Sequence, residues 1–304
     1  MRTADPAPIA SSDRCSARSD ARLEAIAGTA STVRRWLLLE HDGPWGERPL
    51  LDARLPGDLG RELGRLERTL GIRVLLIRRP DRDVPDSGTC FAVQSGPTDP
   101  WIERTTLAAP REVLDLDLRA LSRGERPGLE PYRRPLFAVC THGRHDPCCA
   151  ERGRPLAQWL SVARPEETWE CTHVGGDRFA GNLVAFPYGW YFGRVAADAG
   201  TVVADAYADG RVDLAHARGR SCFPIDVQAA ELFLRADRGL DGLDDVAATG
   251  VERAGAETTV GFAGSSEPFA VRVRRSPSAP ARLTCHAAEE RPAPAFDLVA
   301  IERG

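Results

Sequence analysis

The 304-residue sequence predicts an α/β fold built from two successive units of strand, helix, strand, strand, followed by a small β-rich tail. Three observations carry this. Strand-length apolar runs such as Val74-Leu-Leu-Ile77 alternate with amphipathic helical stretches. The alternation stops at a polar, Pro/Gly-rich connection, Arg123–Gly128, and starts again at Pro135. The last part of the chain holds only short alternating or apolar pieces separated by Pro and Gly.

Residues 1–30 are polar and rich in Ala, Ser and Asp, and are expected as a loosely held arm with one short helix around Asp20–Ala27. Val33–Leu39 reads as the first strand. Gly57–Leu70 reads as a helix with Leu59, Leu63, Leu66 and Leu70 on one face, closed by Gly71. Ile72–Ile77 is a buried strand, then comes a turn-rich stretch through Pro80, Pro85 and Gly88, and Cys90–Val93 is a further strand. Val113–Leu121 reads as a short helix.

The second unit opens with strand Leu136–Val139, passes through a cysteine-rich loop and continues as a helix from Ala150 to Ala163, with Leu156, Leu160 and Ala163 inward. Pro155 requires the first turn of that helix. Thr168–Cys171 is a strand, Asn182–Phe186 and Trp190–Val195 form a hairpin around Pro187–Gly189, and Thr201–Ala208 is a helix. Thr258–Phe262, Phe269–Val273, Leu283–Cys285 and Phe296–Ile301 make the β-rich tail. The expected domains are an arm over 1–30, an N-terminal α/β domain over 31–128, a second domain over 129–235 and an appendage over 236–304. The N-terminal domain reads as a degenerate copy of the second, without ligands.

Composition removes several function classes. The basic residues are all arginine and no lysine occurs, which excludes a standard P-loop, a lysine Schiff base and a serine-lysine dyad. A formal charge of −4 gives no nucleic-acid footprint, so no nucleic-acid partner is expected. No apolar run reaches membrane length and the N-terminus lacks an apolar h-region, so no membrane partner and a cytoplasmic location are expected. In that setting the eight cysteines do not read as a disulfide framework, and Cys15, Cys90, Cys222 and Cys285 stand as isolated thiols.

The chemistry concentrates in Cys140-Thr-His-Gly-Arg-His-Asp-Pro-Cys148-Cys149 and Cys171-Thr-His173-Val-Gly-Gly-Asp177, where four cysteines and three histidines fall together. The first loop offers soft thiolates, and the second an imidazole, two glycines and a carboxylate. Four donors in two pairs match a 2Fe-2S centre, and zinc is the rival metal for the same donors. Cys148 reads as a packed thiol and His142 and His145 as loop residues. Arg178, Arg194 and Arg220 read as surface or ion-pair arginines, or as donors toward cluster sulfur. No Cys-x-x-Cys occurs, which argues against thiol-disulfide exchange.

Cys140-Thr-His-Gly with Asp146 and Cys148-Cys149, Gly153-Arg-Pro155, Trp169-Glu-Cys171, His173-Val-Gly-Gly176, Arg178-Phe-Ala180, Tyr188-Gly189, Gly193-Arg194, Arg218-Gly-Arg-Ser221 and Gln228-Ala-Ala-Glu231 resemble the sucrase/ferredoxin-like family of thioredoxin-fold ferredoxins. Gly43-Pro-Trp-Gly46 and Val74-Leu-Leu-Ile-Arg-Arg79 extend the likeness into the N-terminal half. The resemblance implies a thioredoxin-like ferredoxin domain, a 2Fe-2S cluster held by two cysteines and two histidines spaced His-x-x-x-His, and electron transfer to or from a redox partner protein. Carried over, the ligands are Cys140, Cys149 and His173, while the second histidine position holds Asp177. Three readings stay open: Asp177 ligates, Cys171 or another nearby group takes its place, or the chain binds its cluster weakly or not at all, as a cluster-free member. If Asp177 ligates, its charge makes reduction harder, placing the potential between the roughly −150 to +300 mV of His-ligated centres and the about −400 mV of all-cysteine ferredoxins, or nearer the latter. Nothing marks the carboxylate pair that glycoside hydrolysis needs.

Overall fold

The computed structural model describes residues 10–81, 87–264 and 267–304. Five strands of the N-terminal half, β1 (Arg35–Glu40), β2 (Arg73–Arg78), β3 (Thr89–Gln94), β4 (Trp101–Thr106) and β5 (Glu130–Pro131), join five of the second half, β6 (Leu136–Cys140), β7 (Thr168–Cys171), β8 (Leu183–Phe186), β9 (Trp190–Phe192) and β10 (Ala217–Arg220), in one ten-stranded sheet. Its order is β10-β9-β8-β6-β7-β2-β1-β3-β4-β5.

The two halves repeat one pairing scheme. In the first, β1 runs parallel to β2 and antiparallel to β3, which pairs with β4; in the second, β6 runs parallel to β7 and antiparallel to β8, which pairs with β9. Their seam is a short antiparallel contact, Ile77 opposite Cys171 and Arg78 opposite Glu170. The two units thus share one strand order, and at the end of β1 Glu40 accepts hydrogen bonds from Ser87 and Thr89.

Nearly every residue of β1–β3 and β6–β9 is buried, as strands covered on both faces must be. On one face, α3 (Leu59–Leu70) and α4 (Leu118–Arg123) cover the first half through Leu59, Leu63 and Leu121, while α5 (Pro147–Ala163) and α6 (Ala199–Ala208) cover the second through Leu156, Leu160 and Val203. On the other face the sheet curls over itself. Trp36 of β1 meets Phe186 of β8 edge-on at 5.2 Å although four steps of strand order separate them, and one apolar cluster takes in Trp36, Phe91, Trp169, Val184 and Tyr191.

A second sheet, β11 (Val246–Ala254), β12 (Glu257–Gly264), β13 (Pro268–Pro277) and β14 (Pro294–Arg303), is antiparallel in that order. Its inward residues Val260, Phe262, Val271 and Val273 alternate with exposed or half-buried ones and pack on α7 (Ile225–Arg238). No helix among the described residues is long and apolar enough to cross a membrane.

Several expectations are corrected. The arm is packed where it is described: its helix α1 is Cys15–Ala21 rather than 20–27, and Cys15, Ser16 and Ser19 are buried; residues 1–9 lie outside the described residues, as does Pro85 of the expected turn. Helix α5 begins three residues early because Asp146 caps it, its side chain accepting from the Cys148 N–H, with Pro147 in the first position. Pro155 therefore lies mid-helix, on the exposed face, where it has no N–H to give the Glu151 carbonyl. Ala163 is exposed and Ala157 takes the inward place. Val113–Leu121 divides into a 3-10 turn, Pro110–Asp115, and α4. Leu283–Cys285 is not a strand, and β4, β10, β11 and α7 were not anticipated.

Candidate metal centre

Parallel strands β6 and β7 end side by side, with Cys140 opposite Cys171, and the loops leaving them converge. Cys140 is the last residue of β6. Cys149 follows in the first turn of α5, which lies close against β6 because residue 153 is glycine: a Cβ there would stand 2.1 Å from the Cys140 carbonyl oxygen. His173 leaves β7, and Asp177 opens a 3-10 turn, Asp177–Phe179. Gly176 takes a left-handed conformation (φ +80°) before that turn, and a Cβ on it would overlap the Arg218 guanidinium at 2.2 Å.

Five donors gather there as two overlapping groups whose ligand atoms lie within 4.8 Å: Cys140, Cys149 and His173, then His145, His173 and Asp177. Both cysteines and Asp177 are buried, whereas the side chains of His173 and His145 keep 21% and 34% of their exposure. The thiols therefore form the inner end and the imidazoles the outer end. The Cys149 thiol donates to Asp177 Oδ1 at 3.1 Å. His173 Nδ1 sits 2.9 Å from the same oxygen, an ion-pair distance, but makes no aligned hydrogen bond. The His145 ring stacks on His173 at 3.7 Å, and its Nε2 lies 3.7 Å from Asp177 Oδ2.

These contacts separate the charges. A hydrogen bond from Cys149 holds Cys140 well below the ordinary thiol value, and the same contact together with burial pushes Cys149 well above it. Burial would lower the His173 imidazole, but Asp177 and Cys140 outweigh it and raise it to about 9. Burial would raise Asp177, and contact with His173 and Cys149 outweighs that, so its carboxyl lies below the ordinary range. A metal entering this site takes the place of the Cys149 and His173 protons.

The surroundings hold the loops in place. Arg218, fully buried, donates to the Gly175 carbonyl, Asn182 Oδ1 and Thr29, and Arg73 donates to the His173 carbonyl. His142 lies outside both donor groups; its Nε2 bonds the Gly46 carbonyl at 2.7 Å and its ring meets Trp45 edge-on. A cleft lined by Glu47, Arg48, Glu67, Arg73, His145 and His173 opens over the imidazoles.

Of the residues read from the sequence, Cys140, Cys149, His173 and Asp177 are brought together. Cys171 stays in the sheet core, outside both groups, and burial raises its thiol well above the ordinary value. Arg178, Arg194 and Arg220 pair with Glu24, Asp20 and Glu231. His145, read as a loop residue, is part of the centre; its place one residue before the capping Asp146 is the local signal that could have found it. A family model described as sucrase/ferredoxin-like matches residues 26–219. No curated protein and no solved structure matches the chain.

Proposed function

The chain belongs to the sucrase/ferredoxin-like family, and from that premise we propose that it is a 2Fe-2S electron-transfer protein whose cluster is held by Cys140, Cys149, His173 and Asp177. The observation that carries the reading is the position of Asp177: a buried carboxylate beside both the Cys149 sulfur and a His173 nitrogen that has no aligned hydrogen-bond partner. Two buried thiols, one imidazole and one carboxylate suit iron in donor type, and the overlapping groups suit a centre larger than one ion.

When bound, such a cluster supplies one-electron chemistry. The residues around it govern access and charge. Burial of Cys140 and Cys149 keeps water from the sulfur end, while His145 and His173 reach the cleft bordered by Arg48 and Arg73, where a redox partner protein would dock. Asp177 brings a negative charge where the family pattern has a neutral imidazole, and that charge opposes the arrival of an electron. A second reading follows from the stacking of His145 on His173: His145 is the fourth ligand and Asp177 orients the two rings.

Redox titration of Asp177→His and His145→Ala separates these readings. With Asp177 as ligand, Asp177→His raises the potential and His145→Ala leaves the cluster bound; loss of the cluster in His145→Ala, with an unchanged potential in Asp177→His, supports the second reading. Absence of stoichiometric iron and sulfide from the wild-type chain overturns both, and zinc at Cys140, Cys149 and His173 would make the site structural.

A further inference from the structure

Cys148, beside the cluster residue Cys149, faces away from that centre. It meets two cysteines from the far ends of the chain, Cys15 at the start of α1 and Cys285 in the segment between β13 and β14. The three sulfurs form a nearly equilateral triangle, with sides of 3.6, 3.4 and 3.6 Å. Asp146 stands over it, its Oδ2 3.7 Å from the Cys15 sulfur. All four ligand atoms lie within 4.8 Å of one another, and all four residues are buried.

We propose that Cys15, Cys148, Cys285 and Asp146 form a second metal site, a mononuclear tetrahedral zinc site that fastens both ends of the chain to the helix carrying Cys149. It involves none of the ligands assigned to the first centre and stands independently of that reading.

The distances identify the kind of centre. Tetrahedral zinc with zinc–sulfur bonds near 2.3 Å holds its sulfurs about 3.8 Å apart, close to the triangle seen here. Disulfide bonding needs sulfurs about 2.0 Å apart, and three thiols cannot all pair among themselves. An iron-sulfur cluster spreads its ligands over several metal ions, whereas these four converge on one point.

The surroundings are those of a ligand set. The Cys15 N–H points at the Cys285 sulfur at 3.4 Å, a donor directed at a sulfur that would ligate. Asp146 accepts the backbone N–H of Cys148 at 2.9 Å and that of Cys285 at 2.6 Å, which fixes its carboxylate in plane and leaves lone pairs toward the sulfurs. Among the described residues no arginine or histidine pairs with Asp146, so this buried carboxylate has no cation of its own. Metal binding would displace the protons still held on the three sulfurs to solvent.

The site closes long loops, 133 residues from Cys15 to Cys148 and 137 from Cys148 to Cys285. Cross-links of that span remove much of the freedom of the unfolded chain. By fixing Cys148 they also fix the neighbouring Cys149.

The test is metal analysis of the full-length chain, wild type against Cys285→Ala and Cys140→Ser, with cobalt substitution of the wild type read by its ligand-field and sulfur-to-cobalt absorption. The expected result is one zinc per wild-type chain and a tetrahedral thiolate cobalt spectrum. Zinc should persist in Cys140→Ser and fall in Cys285→Ala by more than the about 10–100-fold that loss of an outer hydrogen-bonding partner costs. Should Cys285→Ala fail to fold, the wild-type zinc content, the cobalt spectrum and Cys140→Ser still decide. A zinc-free wild type, a disulfide among the three cysteines, or zinc that leaves with Cys140→Ser and stays in Cys285→Ala would overturn the proposal.

Discussion

Gly153 sets the spacing on which the first centre depends. With a Cβ placed 2.1 Å from the Cys140 carbonyl oxygen, Gly153→Ala can be accommodated only by moving α5 off β6 and Cys149 off Cys140. Overpacking of this kind costs about 1–3 kcal/mol; the expected outcome is that loss in a denaturation curve together with lowered metal content, and unchanged values for both would contradict it. Glu24 gives an acid-side expectation. Burial would raise its carboxyl, but its pairing with Arg178 outweighs burial and holds it below the ordinary value of about 4.3. The folded pKa being the lower one, this contribution is fully present above the unfolded value and is lost as pH falls through the folded one. Glu24→Gln should therefore reduce stability at neutral pH and flatten the acid side of the stability profile below about pH 4.5; an unchanged acid limb would count against the pairing. The family resemblance singled out Cys140, Cys149, His173 and Asp177, and the two loops that hold them were legible because their metal-capable side chains crowd together in sequence. Cys15 and Cys285 were not: their meeting with Cys148 depends on how the two ends of the chain return to α5, and no spacing records that.

Helix α7 is bound to the sheet by a buried ion triad. Arg220 of β10 and Arg235 donate to the one Glu231 oxygen, Oε1, from their Nε atoms at 2.9 and 3.0 Å, and the same guanidinia bond the carbonyls of Leu243, Val246 and Gly242 on the way into β11. All three side chains are almost completely buried. Removing the anion alone leaves two buried guanidinia uncompensated, so Glu231→Gln should cost about 3–5 kcal/mol. Equilibrium denaturation measures this, and a loss below 1 kcal/mol would place the pair in solvent. The triad also explains what the sequence concealed. Strand β10, Ala217-Arg-Gly-Arg220, and the inward face of α7, with Gln228, Glu231 and Arg235, bury polar side chains, so neither shows the apolar period that reveals a strand or a helix. Strand β4 was hidden likewise by Glu103 and Arg104. Strands β6 and β8 are apolar almost throughout, β1 and β2 are apolar between charged ends, and these were read nearly to their ends.

Across the whole molecule, the two halves are joined by a short strand seam, by side-chain bonds such as those of Arg78 and Arg79, and by a shared interior. Only two residue pairs form the seam between β2 and β7, whereas the curl of the sheet encloses Trp36, Phe91, Trp169, Phe186 and Tyr191 in one cluster. Hydrogen exchange near the unfolding midpoint should therefore show both halves opening in one transition, and separate transitions would mark them as independent domains. The repeat of strand, helix, strand, strand was visible in the sequence; the union of the halves in one sheet was not, because it depends on two residue pairs and on side chains facing each other across three intervening strands. The same frame brings the ends of β6 and β7, and the loops beyond them, together at the cleft, where the proposed cluster would bind. The most direct measurement of that claim is EPR of the anaerobically purified, dithionite-reduced full chain, with iron and sulfide analysis of the same sample. Two irons and two sulfides per chain and a signal from one unpaired electron are expected, all lost in Cys140→Ser; an EPR-silent chain without stoichiometric iron would contradict the cluster assignment.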